Sequence, residues 1–167
     1  NQRLPADIRI QSSCEVPDGW HPRRCPCVKT YEYRILNRSV ELPQQRLYTA
    51  FCRFPADVER MRRGAAFLVG EHDFKSFCNV RTQAESTVRR VYDIQVERDA
   101  GDVITIRIRG NGFLYNMVRI IAGTLLKTGM GQMEPEAVRT ALEARDRQAA
   151  GPTAPARGLT LVGIEYL

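Results

Sequence analysis

In the run Lys29-Thr30-Tyr31-Glu32-Tyr33, the period of two in an extended chain puts Lys29, Tyr31 and Tyr33 on one face of a strand. A cation with two aromatic rings could stack a splayed-out base and hold its phosphate. Aromatic residues also favour strands for packing alone, and the run by itself leaves both readings open. Further on, Gly110-Asn111-Gly112-Phe113-Leu114-Tyr115-Asn116-Met117-Val118-Arg119 carries the chain from a basic strand through glycines into an apolar helix. At about 100° per residue Arg119 falls beside the buried stripe, so burying it calls for a carboxylate partner. Left at the surface, its stem would cover the helix flank.

Arg23, Arg24, Arg34, Arg81, Arg89, Arg90, Arg107 and Arg109 supply enough guanidinium groups for phosphate contacts wherever several converge. Two other sets invite different chemistry and fall short of it. His72 and Asp73 adjoin with Ser76 close by, but sequence neighbours seldom face each other as an acid-base pair must. A polar turn anchored in the core by Phe74 and Phe77 accounts for them. Cys14, His21, Cys25 and Cys27 are zinc-ligand types, yet the single-residue gap between Cys25 and Cys27 departs from the usual ligand pairs and no second pair follows. No glycine-rich nucleotide loop, nucleophile elbow or paired-helix metal motif occurs. Neither metal nor cofactor is expected.

The elements that would position these residues can be read from periodicity. Residues 7–16 and 28–36 are rich in β-branched and aromatic types and predict strands, separated by a stretch holding Pro17, Pro22 and Pro26. Val58, Met61, Ala65 and Leu68 recur at three and four residues after Pro55, predicting an amphipathic helix that ends at Gly70. Residues 86–97 and 102–109 predict a hairpin whose tight turn uses Gly101. Ile104, Ile106 and Ile108 then face a core while Thr105, Arg107 and Arg109 make a basic opposite face. Leu114, Met117, Val118, Ile121, Ala122, Leu125 and Leu126 predict a long helix ending near Gly129. A second helix starts at Pro135, and a final strand runs over 159–166. Strand runs with interspersed helices imply an α+β fold, a mainly antiparallel sheet with helices packed on one face, broadly like a ferredoxin or RRM arrangement.

The 167 residues are 43% apolar and 26% charged, enough for one packed core and too apolar for a disordered chain. A formal charge of +6 favours a polyanionic partner, nucleic acid first. No apolar run approaches the roughly 20 residues that span a bilayer. Five cysteines without a secretory leader suit free thiols in a reducing, intracellular setting.

Taken in order, several segments resemble the TruA family of tRNA pseudouridine synthases, nearly end to end. Asn1 to Ile8 is similar to the family's Asn-x-x-Leu-Pro-x-Asp-Ile stretch. Trp20-His21-Pro22-Arg23 is similar to its Phe-His-Ala-Arg segment, with Trp20 in place of Phe. Lys29-Thr30-Tyr31-Glu32-Tyr33 resembles the Lys/Arg-x-Tyr-x-Tyr strand, and His72-Asp73-Phe74 with Phe77 resembles a further segment. Phe113 to Arg119 resembles the start of a family helix, and Ala150-Gly151-Pro152-Thr153-Ala154-Pro155-Ala156 with Gly158-Leu159 the C-terminal signature.

The resemblance implies an enzyme that isomerises uridine in the tRNA anticodon stem-loop through an aspartate nucleophile, without metal or organic cofactor. It also implies a cytoplasmic homodimer with a basic cleft between two α+β subdomains. Tyr31 would stack on the target uridine and Arg119 would pair with the aspartate; Lys29, Arg107 and Arg109 are the further substrate-binding candidates. The family's Gly-Arg-Thr-Asp-x-Gly-Val-His motif, which holds the nucleophile, is absent from these residues. In the family that motif precedes the stretch like Asn1 to Ile8. The expectation is therefore a C-terminal portion, residues 1–167, inactive alone.

Overall fold

The computed structural model describes residues 1–79 and 84–167. Arg81 lies outside the described residues.

Strand β1 (Cys27–Asn37) is the spine of the sheet. On one side it pairs antiparallel with β5 (Val103–Gly110), which continues to β4 (Val88–Arg98) and then to β3 (Gly70–Asp73). On its other side, the first half of β1 pairs antiparallel with β6 (Leu159–Tyr166). Its last three residues pair in parallel with the short β2 (Ala50–Cys52). The result is a mixed, mostly antiparallel sheet of six strands. Three helices, α1 (Val58–Ala66), α2 (Met117–Gly129) and α3 (Pro135–Ala144), pack against it, and the α+β class expected from the sequence is the one found.

The alternation in β5 decides which face is buried. Ile104, Ile106 and Ile108 are fully buried, and across the strand pair they meet Ile35, Tyr33 and Tyr31. Met61, Ile120, Ile121 and Leu125 of the helices complete one continuous core. Removing a side chain of this size from water contributes about 1.5–3 kcal/mol, so the register is strongly fixed: a slip of one residue would turn the isoleucines out and the arginines in.

Asn37, at the end of β1, joins three elements. Its amide donates to Cys52 O and Phe54 O, while its Oδ1 accepts from the Ala56 N–H and from Arg98. With β2 and the approach to α1 tied to β1 in this way, Asp57 caps α1 by accepting from the N–H groups of Glu59 and Arg60.

Two expectations need correction. The predicted strand over residues 7–16 does not form: the segment is irregular and exposed, with Ile8, Ile10 and Val16 about half accessible. Composition favoured a strand, but no described strand pairs with it, and pairing is what stabilises a strand. Instead the Asn1 side chain exchanges two hydrogen bonds with the Ile10 backbone. The segment expected as a polar turn at His72 and Asp73 is edge strand β3, although Phe74 and Phe77 are fully buried as expected. In the β4–β5 hairpin Gly101 lies in the turn as expected, and the left-handed residue is Asp102, with φ 63°. The Asp99 carboxylate closes the turn by accepting from the Gly101 and Val103 N–H groups.

Candidate functional site

The loop from β5 into α2 brings the two best sequence candidates to one cleft. Asn116 adopts a left-handed conformation, φ 62°, and turns the chain so that α2 starts at Met117. Arg119 then lies in the first turn of α2 and shares a cleft with Tyr31 of β1. Tyr31 is half-buried, and its ring meets the edge of Phe113 with centroids 5.2 Å apart at 84°. Tyr31, Phe113, Asn116, Arg119 and Leu159 line a cleft of about 280 Å³. Burial pushes the Tyr31 hydroxyl pKa above its ordinary value, so the ring is a neutral stacking surface at physiological pH.

Arg119 is held from two sides. Its Nε donates to Ala154 O at 2.7 Å and its Nη1 to Asn116 Oδ1 at 3.0 Å. The Ala154 N–H donates back to Arg119 O at 3.1 Å. Residues 151–158 thus form a strap across α2, and its seating depends on missing side chains. A Cβ on Gly123 would overlap Pro152 O, and one on Gly151 would stand 2.6 Å from Thr124 Cα. A Cβ on Gly158 would lie 2.8 Å from Arg34 O and from the Tyr33 ring. The Gly151 N–H donates to Thr124 Oγ1 at 2.9 Å, and the Tyr33 hydroxyl donates to Pro155 O at 2.6 Å. Burial drives the Tyr33 pKa far above its ordinary value, while the charges of Arg119 and Arg157 pull it back.

Among the described residues, the ion pairs engage Arg60, Arg62, Arg107, Arg109, Arg145 and Arg157, and none engages Arg119. The half-buried guanidinium is met by a carbonyl and an amide oxygen, not by a carboxylate. Neutral acceptors take two of its donors and leave its charge uncompensated, an arrangement suited to an incoming anion.

The remaining candidates separate. Lys29 shares the Tyr31 face and lines an adjoining groove. Arg107 and Arg109 stand opposite Glu32 and Thr30 in the register, on the other face of the sheet. There Arg107 pairs with Glu32, and Arg109 with Glu165 at 2.7 Å. Asp73 pairs with Arg145 at 3.3 Å, and His72 Nε2 bonds Val69 O; both residues line a different cleft. The five cysteines are free thiols. Among the described residues no three His, Cys, Asp or Glu side chains are grouped to hold a metal ion.

Residues 65–167, from the end of α1 through Arg119, the strap and β6, match the sequence family described as tRNA pseudouridine synthase. The tRNA pseudouridine synthase A of Brevibacillus brevis is 47% identical over 99% of the chain, which covers 68% of that protein. The chain belongs to the tRNA pseudouridine synthase family. The enzyme of the same name from Halalkalibacterium halodurans is 47% identical over 95% of the chain, and that of Bacillus subtilis 42% over 99%. The chain spans 60% to 68% of the length of these relatives.

Within this synthase-family chain, reading motifs alone misses the residues that hold the arginine. Ala154 acts through its backbone carbonyl, which side-chain type does not announce, and Asn116 through an amide oxygen that only the left-handed turn before α2 brings to the guanidinium. Gly123 is the signal that could have found them: glycine inside an apolar helix is less favourable than alanine by about 1 kcal/mol, so it marks a close approach of another backbone.

Proposed function

We propose that this chain is the C-terminal portion of a synthase that converts uridine to pseudouridine in the tRNA anticodon stem-loop. The observation that supports this reading most directly is Arg119, half-buried beside the Tyr31 ring and without a carboxylate among the described ion pairs. The target base leaves its stack and lies on Tyr31. Arg119 pairs with the nucleophilic aspartate, keeping it ionised and aimed. The aspartate attacks, the bond from ribose to the uracil nitrogen breaks, and the base rotates and rejoins through carbon; the aspartate is released, and the proton lost from that carbon is matched by one gained at the freed nitrogen. The aspartate itself comes from the family's Gly-Arg-Thr-Asp motif, which these residues lack. A cytoplasmic homodimer is proposed from the same resemblance.

The test combines the 167-residue chain and a synthetic anticodon stem-loop with, in a second arm, the aspartate-bearing segment of the family joined upstream. The expected result is salt-dependent binding without pseudouridine for the chain alone, and turnover for the joined protein. In the joined protein Arg119→Ala should abolish most of that turnover. Pseudouridine formed by the chain alone would overturn this division of labour, and a fully active Arg119→Ala enzyme would remove Arg119 from the reaction.

A further inference from the structure

We propose that the groove adjoining the Tyr31 cleft, with Arg23, Arg24, Lys29 and Arg89 as its cations, seats the backbone phosphates of the RNA strand next to the displaced base. The proposal rests on the RNA-modifying reading above and adds to it by choosing among the arginines.

The groove is built from three separate stretches of chain. One is the turn leading into β1, fixed by hydrogen bonds from the Arg24 and Cys25 N–H groups to His21 O and from the Arg23 N–H to His21 Nδ1. The second is the start of β4, and the third is the turn after β5. Asn111 locks these two together, its Oδ1 accepting from the Arg90 N–H and its own N–H donating to Arg90 O. The third turn is tight: a Cβ on Gly110 would stand 2.9 Å from Arg90 O and 3.2 Å from the Phe113 ring. The walls are therefore ordered independently of the long side chains that project from them, and three cations from residues 23–29 line one groove with Arg89 from β4.

Charge balance separates these four from the other arginines. Arg107 and Arg109, the basic stripe that alternation picks out, sit on the far face of the sheet against Glu32 and Glu165. None of the four groove cations enters an ion pair among the described residues, and no carboxylate lines the groove. Like charges gathered without a counter-charge repel one another, and an anion that sits among them relieves that repulsion.

Position identifies the anion. Phe113 lines both the groove and the Tyr31 cleft. Lys29 lies two residues from Tyr31 on the same face, about 7 Å along the strand, a span comparable with that between a base and the phosphates of its own nucleotide. A single strand whose base stacks on Tyr31 therefore runs its phosphodiesters past Lys29 toward Arg24 and Arg89. Such contacts position the strand without reading its sequence.

The experiment is a salt titration of binding between the 167-residue chain and a fluorescent anticodon stem-loop. For each phosphate that a variant no longer neutralises, the slope of log Kd against log salt should fall by about 0.7 to 0.9. Arg24→Gln and Arg89→Gln are each expected to lower the slope by that amount, and together by about twice as much. Arg63→Gln, an exposed arginine on α1, is expected to leave it unchanged. Circular dichroism checks that all variants are folded. Parental slopes in both groove variants, with RNA still bound, would overturn the phosphate assignment and leave the functional reading standing. No measurable RNA binding by the parent chain would overturn both.

Discussion

Gly151→Ala tests whether the strap positions Arg119. A Cβ there would lie 2.6 Å from Thr124 Cα and 2.9 Å from its Oγ1, whereas carbon atoms in contact rest at about 3.5–4.0 Å. Thr124 sits in the buried middle of α2, with its hydroxyl bonded to Ile120 O, so the strap must yield, by about 1 Å. Three residues on, Ala154 O accepts from Arg119 Nε at 2.7 Å. A comparable displacement there takes that bond to or past the limit of a useful hydrogen bond.

A misplacement of about 1 Å at a catalytic group costs on the order of 100-fold in rate, or roughly 2.7 kcal/mol. The expected result in the joined, aspartate-bearing enzyme is a kcat for pseudouridine formation down by about that factor. KM for the RNA should stay near its parental value, because Tyr31 and the basic groove do not move. The overpacking also destabilises by about 1–3 kcal/mol. Gly131→Ala, at φ 72° with open space around it, is the control: it loses about 1–2 kcal/mol from backbone strain and should keep kcat once the folded fraction is matched. A Gly151→Ala enzyme with parental kcat, or a Gly131→Ala enzyme with the same deficit, would refute the positioning role.

Tyr31→Phe should retain most of the RNA affinity and Tyr31→Ala should lose about 1–3 kcal/mol by titration; equal losses would argue against stacking. Asn37→Ala should destabilise the chain by about 3 kcal/mol in urea unfolding, since it strands Cys52 O, Phe54 O, the Ala56 N–H and one Arg98 donor together. Tyr33 carries a pH prediction. Its pKa is raised on folding, so its stabilising contribution is complete below its ordinary value near 10 and is lost as pH climbs above it. Tyr33→Phe should therefore lose about 1 kcal/mol at neutral pH, from the unpaired Pro155 carbonyl, and show a smaller further loss between about pH 10 and 12.

The helices and the long hairpin were legible because burial imposes a period. Ile104, Ile106 and Ile108 repeat at two, and Leu114 to Leu126 at three and four, and both sets are in the core. The three-residue β2 is too short to show any period, and edge strand β3 offers no alternation of apolar residues. The stretch over 7–16 has the composition of a strand and no described pairing. Within the site, Tyr31 and Arg119 could be named as candidates because their side chains carry the chemistry. Which basic residues stay without an acidic partner among the described residues could not be named, because the pairing of Arg107 with Glu32 and of Arg109 with Glu165 is a fact of register across β1, β5 and β6.

The same register explains why Arg119 has no carboxylate partner among the described residues. Glu32 follows Tyr31 directly, but the period of two turns it to the opposite face, where it meets Arg107. Glu165 is likewise spent on Arg109. The acidic residue next to Tyr31, and the one brought beside β1 by β6, are thereby kept out of the cleft. Carbonyl and amide oxygens hold the guanidinium in place without cancelling its charge. Replacing Asn116 Oδ1 by a carboxylate would hold the arginine as firmly and defeat the purpose, since a paired guanidinium has less to offer an aspartate arriving from another segment. Asn116→Asp should on this argument cost turnover in the joined enzyme while leaving the melting temperature of the chain nearly unchanged. Retained turnover would mean that the charge on Arg119 need not be kept in reserve.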